Sequence, residues 1–270
     1  MRWGERIVAL LMFAAIGMAA KPALAQTASG YVDQDTQILA AFARPNADRT
    51  VVDKAIQEQA RLLLFSTADL WRQGGFTHAG VLWAPDGLDR DGPVLKLMFG
   101  GGIYHYLSGA LGNADVLGKQ LAGEVLPGWR FVRGNLTVTF FLGFDYQQHR
   151  LTPDDPSAGL RGRYFGARTG FELWYQPTAS MMVAADTSFS TIGPGYNVRL
   201  ATGWRVFDMF YLGPEFQAFG ADENYRQYRA GVHVTGLRTG AFEWSAATGW
   251  ALDTDDRSGA YGKLSVFTRH

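Results

Sequence analysis

The sequence predicts an all-β protein, a transmembrane antiparallel up-and-down β-barrel of about 12 strands, with a short N-terminal segment of helical periodicity before it. Three observations predict this fold. Apolar and polar residues alternate with a period of two in strand after strand, most of these runs are 10 to 14 residues long, and the composition is rich in glycine and aromatic residues. The chain has 33 Gly, 18 Phe, 11 Tyr and 8 Trp, no Cys, and only 19% charged residues.

The first 25 residues have the pattern of a secretory signal peptide. Arg2 and Arg6 precede an apolar run at 7–20, and Ala23-Leu24-Ala25 is a small-x-small cleavage pattern. The run is too short to span a membrane as a helix. Residues 26–61 form a separate leader, in which Val52, Ala55, Ile56 and Gln59 recur at helical spacing and predict a short helix. Residues 62–270 are the predicted outer-membrane barrel.

The barrel region divides into strand-like runs separated by Gly, Pro, Asn or Asp. A tilted strand needs about 9–11 residues to cross a bilayer, so the run lengths favour lipid over a two-layer sandwich. The predicted strands are 62–71, 76–85, 93–104, 119–131, 135–147, 162–176, 179–190, 195–208, 211–219, 224–236, 241–252 and 258–268.

The stretch "NLTVTFFLGFDYQ" (135–147) illustrates the two faces. One face runs from Leu136 to Tyr146 and is wholly apolar or aromatic; the other ends in Asp145 and Gln147. In a closed barrel the first face meets lipid and the second lines the lumen, because unpaired backbone groups in hydrocarbon cost several kcal/mol and force closure. Phe141 is the misfit, since it falls on the polar face.

Two further patterns favour a membrane barrel. Aromatic residues lie toward strand ends, as in the girdles of such barrels, and the longer connections, notably 105–118 and 148–161, fall on the opposite side from both chain ends. The residues assigned to the girdles are Trp71, Trp83, Trp129, Tyr146, Trp174, Tyr175, Trp204, Tyr211 and Tyr225.

The polar face supplies the candidate lumen-lining residues. Their mixed charges allow two interpretations: a self-neutralising plug of salt bridges, or a water-filled path or oligosaccharide groove. Phe141, Trp174 and Tyr261 are predicted to face inward, either as packing or as platforms for sugar rings. The candidates are Glu124, Arg130, Phe141, Asp145, Arg168, Glu172, Arg199, Arg205, Arg229, His233, Glu243 and Lys263.

No catalytic, cofactor-binding or metal-ligating residues are predicted. A barrel lipid hydrolase needs a serine beside a histidine base, and none of the five histidines stands next to a nucleophile in a recognisable arrangement. The acidic loop segments 152–156, 220–224 and 253–257 either bind divalent cations that bridge lipopolysaccharide or only solubilise the loops. The balanced charge excludes nucleic acid as a partner.

Several stretches resemble the cellulose biosynthesis protein BcsS family of Gram-negative bacteria: "GFELWYQPT", "YLGPEF", "YRQYRAGVHVTGLRTGAFEWSAATGWALD" and "RSGAYGKLSVFTRH". The resemblance covers roughly residues 62–270. It implies an outer-membrane barrel with an accessory role in cellulose biosynthesis, export or surface retention, and it supplies no catalytic residues.

We therefore expect a non-enzymatic protein of the cell outer membrane. Its expected partners are outer-membrane lipid and lipopolysaccharide, with cellulose or other cellulose-secretion components. Two alternatives remain: a general small-solute porin and a lipid-modifying barrel enzyme. No cofactor is expected.

Overall fold

The computed structural model describes residues 60–221 and 225–270. The predicted signal peptide at 1–25 and the leader at 26–61, up to residue 59, lie outside the described residues. Among the described residues, no helix is long and apolar enough to cross a membrane.

Twelve antiparallel strands form one closed barrel, in which each strand pairs with its neighbours in sequence and β1 also pairs with β12. The strands are β1 (Leu62–Trp71), β2 (Gly74–Trp83), β3 (Gly92–Ser108), β4 (Ala114–Arg133), β5 (Leu136–Thr152), β6 (Gly162–Thr178), β7 (Met181–Ser190), β8 (Tyr196–Val206), β9 (Phe210–Gly220), β10 (Arg226–Thr239), β11 (Phe242–Asp253) and β12 (Ser258–Arg269). The predicted fold class is confirmed.

The seam between β1 and β12 leaves no open edge. Leu62 N donates to His270 O at 2.8 Å and His270 N donates to Leu62 O at 2.9 Å, and the register then runs from Leu63 opposite Arg269 to Trp71 opposite Tyr261. Closure pairs the backbone groups that a free edge would expose, which is what a hydrocarbon environment requires.

The two ends of the barrel differ. The end that carries both barrel termini, called the turn end below, has tight connections apart from the longer segment 84–91 between β2 and β3. Two of the tight connections place a glycine at positive φ: Gly134 at 59° and Gly240 at 61°. A residue with a Cβ is strained in this region, so glycine suits these turns. The opposite end, called the loop end, carries the connection 153–161, the longest in the described part of the chain.

The predicted connections 105–118 and 148–161 are too long. β3 continues to Ser108, β4 begins at Ala114 and β5 continues to Thr152, so the first connection contains only a 3₁₀ turn at Gly109–Leu111 and its flanking residues. The glycines of this segment suggested a loop. Tyr104, Tyr106 and Val116 instead pack together at the loop end and hold the strands in pairing.

The outer surface is a band of exposed apolar side chains. Phe144 is 76% and Phe165 is 84% exposed, and they lie on strands whose alternate residues are buried. A contiguous apolar surface of this extent is typical of contact with lipid.

Three of the residues predicted for the aromatic girdles lie elsewhere. Trp174, Tyr211 and Tyr225 are about 2% exposed and belong to clusters inside the barrel. The prediction that these residues lie near strand ends is confirmed, but the indole and phenol groups point inward. There they pack against each other and against polar side chains. Trp83, Trp129 and Trp204 are about half exposed on the outer face.

Candidate functional site

The interior of the barrel is the candidate site, because the alternating strands direct their polar side chains into it. Eleven of the twelve predicted lumen residues are at most 6% exposed, and Arg205 is half-buried. Ion pairs between strands that are not neighbours in the sheet show that these side chains meet inside the barrel.

Arg168 on β6 lies between two carboxylates. Its Nε is 2.9 Å from Glu124 Oε1 on β4, and its Nη2 donates to Asp145 Oδ2 on β5 at 3.1 Å. Ser190 Oγ also donates to Asp145 Oδ2, at 2.6 Å. Glu124 and Asp145 are directly opposite each other in the register, so the guanidinium offsets a repulsion between like charges.

Lys96 on β3 reaches across the interior to Glu172 on β6, and its Nζ lies 3.2 Å from Glu172 Oε1. The strands β4 and β5 separate these two residues along the wall. The same ammonium group lies 4.4 Å from the ring centroid of Phe141. Phe141, the apolar residue on the polar face, thus makes a cation–π contact with a buried ammonium group, which the ring quadrupole stabilises.

Two glycines make room for the Phe141 ring. Gly128 on β4 and Gly170 on β6 are the residues directly beside Phe141 in the register. A Cβ at Gly128 would come within 2.7 Å of the Phe141 ring and within 2.2 Å of a backbone oxygen. The glycines therefore serve the packing of Phe141, and the ring covers backbone that they leave bare.

A second group of charges lies on β7, β8 and β9. Arg199 Nε donates to Glu215 Oε2 at 2.6 Å, and its Nη1 donates to Asp186 Oδ2 at 3.3 Å. Each of the two acids is at most 3% exposed. A single guanidinium again neutralises two carboxylates.

A third ion pair crosses the interior from β10 to β1. Arg229 Nη1 donates to both oxygens of Asp69, at 3.0 and 2.7 Å. The guanidinium carbon is 5.0 Å from the ring centroids of both Phe219 and Tyr261. Tyr261 therefore contacts a cation of the protein, as Phe141 does.

The turn end is closed by a smaller network around Tyr211. Gln176 Nε2 donates to Tyr211 Oη at 2.6 Å, Arg205 Nη2 donates to the same oxygen at 3.0 Å, and the indole of Trp174 packs edge-on at 6.1 Å between ring centroids. Arg130 Nη1 donates to the backbone oxygen of Leu88 in the connection between β2 and β3 at 2.8 Å. Side chains and a connecting segment thus cover this end.

Two of the three remaining candidates have partners near the turn end. Glu243 pairs with Arg238, with 2.7 Å between Oε2 and Nη2, and His233 contacts Thr202 O at 3.0 Å and Thr235 Oγ1 at 2.9 Å. Lys263 is buried on β12, directly opposite Asp69 in the register with β1.

The loop end is closed by an aromatic cluster. Its buried members include the stacked rings of Phe76, Tyr104 and Tyr106, whose neighbouring centroids are 6.4 and 6.3 Å apart. Tyr106 Oη donates to Asp155 Oδ2 at 3.0 Å, which fastens the connection 153–161 over the cluster. Ser157 N and Oγ both donate to Asp155 Oδ1.

The pKa of the Asp155 carboxyl lies below its usual value. Burial raises it, but the hydroxyls of Ser108, Ser157 and Tyr106 and the amide of Ser157 lower it by more. Because the folded carboxyl has the lower pKa, its contribution to holding the loop is present above pH 3.8 and is lost as the pH falls through the lowered value. We expect the loop 153–161 to resist protease from pH 5 upward.

Asp155→Asn is expected to speed cleavage of this loop at neutral pH, since the neutral amide replaces a charged acceptor of the hydrogen bonds from Tyr106 and Ser157. Limited proteolysis with mass mapping measures the effect. Asp154→Asn is the control, because Asp154 pairs with Arg161 on the exposed side of the same loop. Equal cleavage of both variants would contradict the assigned role of Asp155.

The interior offers little for covalent chemistry. It holds three buried histidines: His149 lies 3.2 Å from both Tyr104 Oη and Gln147 Oε1, His233 contacts Thr202 and Thr235, and the His78 ring packs edge-on against Phe65 with 6.4 Å between centroids. Across residues 60–221 and 225–270, no group of three or more His, Asp or Glu is arranged to hold a metal ion.

The charged residues that sequence reasoning missed are partners of those it found. Asp69, Lys96, Asp186 and Glu215 complete the ion pairs described above. Their alternation was present in the sequence, but β1 and β3 are apolar on much of both faces, so the inward set was harder to recognise.

Fold and interior together define a membrane-type β-barrel with a charged, side-chain-filled core. The chain belongs to the family described as cellulose biosynthesis protein BcsS, whose model matches residues 63–270. The suspected family is confirmed. No curated protein matches the chain.

Several solved structures are similar in fold. The COG4313 outer membrane channel from Pseudomonas putida F1 is 10% identical with a TM-score of 0.49, covering 78% of this chain and 96% of that one. A KdgM porin is 6% identical with a TM-score of 0.41, covering 76% and 98%. LpxR from Salmonella typhimurium is 10% identical with a TM-score of 0.42, covering 77% and 99%.

Proposed function

We propose that this protein is a non-enzymatic barrel of the outer membrane with an accessory role in cellulose export or retention at the cell surface. Membership of the cellulose biosynthesis family over residues 63–270 carries the proposal. The fold supports the location, because a closed barrel with an exposed apolar band suits a bilayer. The loop end then faces outward, as longer loops do in such barrels.

The filled interior supports an accessory role over that of a conduit. A glucan chain that crossed this barrel would have to displace the buried ion pairs Lys96–Glu172 and Arg229–Asp69, each of which joins strands three places apart along the wall. Separating buried charges without new partners is costly. Phe141, Trp174 and Tyr261 are occupied by cations or by other rings of the protein, which argues against a role for them as sugar platforms.

The histidine environments support the absence of enzymatic activity. The ring nitrogens of His149 and His233 contact tyrosine, glutamine and threonine groups, Ser66 Oγ donates to the backbone oxygen of His78, and Ser188 and Ser190 hydrogen-bond within the Arg168 network. Mass spectrometry of outer-membrane lipids with and without the protein tests this part. A change in lipid acylation would contradict it.

Deletion of the gene tests the cellulose role. We expect cellulose synthesis to continue while the amount released, attached to cells or assembled into fibres changes, and complementation to restore it. The control is complementation with a gene that carries silent substitutions over the family region and therefore encodes the unchanged protein. Unchanged export, attachment and fibre morphology in the deletion strain would contradict the proposal.

A further inference from the structure

Three basic residues lie together on the outer face of the wall at the loop end. Lys119 on β4 is directly opposite Arg150 on β5 in the register, and Arg163 on β6 is opposite Gln148, the next outward residue of β5. All three are exposed, while their sequence neighbours Gln120 and His149 are buried. Directly opposite residues have Cβ atoms about 4.5–5.5 Å apart and diagonal ones about 7–8 Å, so the cations form one patch.

The patch has no acidic partner within residues 60–221 and 225–270. The acids nearest in the chain are engaged elsewhere: Asp115 Oδ2 lies 3.0 Å from His105 Nδ1, and Asp154 pairs with Arg161. Like charges directly opposite on a sheet destabilise it. An anion from outside the chain would offset this repulsion.

The position of the patch on the barrel wall indicates which class of anion it binds. On β6 the cation Arg163 is the outward residue that follows the last apolar one, Phe165, and on β4 Lys119 lies between Leu121 and the half-buried Leu117. Phe165 also packs against Tyr146 of β5, with 4.9 Å between ring centroids. Arg163 thus lies one outward position, roughly 7 Å, beyond the exposed apolar residues of β6, and Arg150 lies two positions beyond Tyr146 on β5. Lys119 lies at the edge of the apolar band, opposite the exposed Ile103 of β3. The patch therefore falls at the height where lipid headgroups meet the apolar wall.

We propose that Lys119, Arg150 and Arg163 bind the phosphate groups of a phosphorylated glycolipid of the outer leaflet. Arginine binds phosphate through paired N–H groups, and each cation at an anionic membrane surface contributes appreciably to binding. The acyl chains would then lie along the apolar wall below, against Leu121 and Phe165. The inference rests on the proposed outer-membrane orientation but not on the cellulose role.

Native mass spectrometry of the detergent-purified full chain tests the site. The probes are lipid A with two phosphates, the same lipid after removal of both phosphates, and inorganic phosphate. We expect lipid A to bind and the double variant Arg150→Gln, Arg163→Gln to bind it about tenfold or more weakly. The matched control is Arg61→Gln, Arg90→Gln, which removes two cations at the turn end and is expected to bind as the parent does.

Faster migration of the unheated sample than of the heated sample on a denaturing gel verifies that each variant forms a folded barrel. Binding by the double variant within twofold of the parent would overturn the proposal, as would an equal loss in the control. Equal binding of the dephosphorylated lipid, or displacement of lipid A by inorganic phosphate at similar concentration, would also overturn it. None of these outcomes bears on the cellulose phenotype of the deletion strain, so the two proposals fail separately.

Discussion

Replacement of Arg168 by methionine is expected to lower the free energy of unfolding by about 3–5 kcal/mol or to prevent folding. The change keeps much of the side-chain volume but leaves Glu124 and Asp145 opposite each other, buried and without the guanidinium between them. Breaking a buried ion pair costs this much because the remaining charge has lost its water and its partner.

Urea unfolding of the barrel in lipid vesicles, followed by tryptophan fluorescence and by gel mobility, measures the change. The triple variant Arg168→Met, Glu124→Gln, Asp145→Asn is expected to recover much of the lost stability, since it removes the uncompensated charges as well. Arg133→Met is the control, because Arg133 pairs with Asp91 on the exposed turn end and its loss should change little. Equal free energies of unfolding for the Arg168 and Arg133 variants would contradict the role assigned to Arg168 in the interior.

Phe141→Ala is expected to cost about 3–5 kcal/mol of unfolding free energy, as large-to-small changes of buried aromatic residues do. The ring is 3% exposed and lies between Gly128 and Gly170, which have no side chains to collapse into the space. The change also removes the ring beneath the Lys96 ammonium group. The cavity and the lost contact with the cation both lower the free energy of unfolding.

The same urea titration measures this variant, with Phe140→Ala as the matched control. Phe140 is the adjacent residue on β5 but is 49% exposed on the outer face, where lipid can fill the space that the ring leaves. We expect the Phe140 variant to lose clearly less stability. Equal losses would mean that Phe141 does not pack the interior in the way described.

The period-two pattern made the strands and their two faces predictable. It depends only on the direction of successive side chains, so "NLTVTFFLGFDYQ" alone placed Asp145 inside and Phe144 outside. Strand ends were less predictable. β3, β4 and β5 are extended where Tyr104, Tyr106 and Val116 pack in one cluster with Leu151 of β5 and with Phe76 and Phe219 of strands distant in the sequence.

The pairing of the inward charges could not be predicted. Periodicity gives the face of a residue but not its depth relative to a strand three places along the wall, so the contacts of Lys96 with Glu172 and of Arg229 with Asp69 depend on barrel shear and curvature. Phe141 shows the same limit. Its direction was predicted, whereas its role depends on glycines in two other strands and a lysine in a third.

Electrical recording from the purified full chain in planar lipid bilayers tests the claim that the protein's own side chains close the barrel. The ion pairs across the lumen, the Tyr211 network at the turn end and the aromatic cluster at the loop end predict no steady conductance above that of the bare membrane. Sustained stepwise conductance from the folded protein would contradict the claim and would favour a porin.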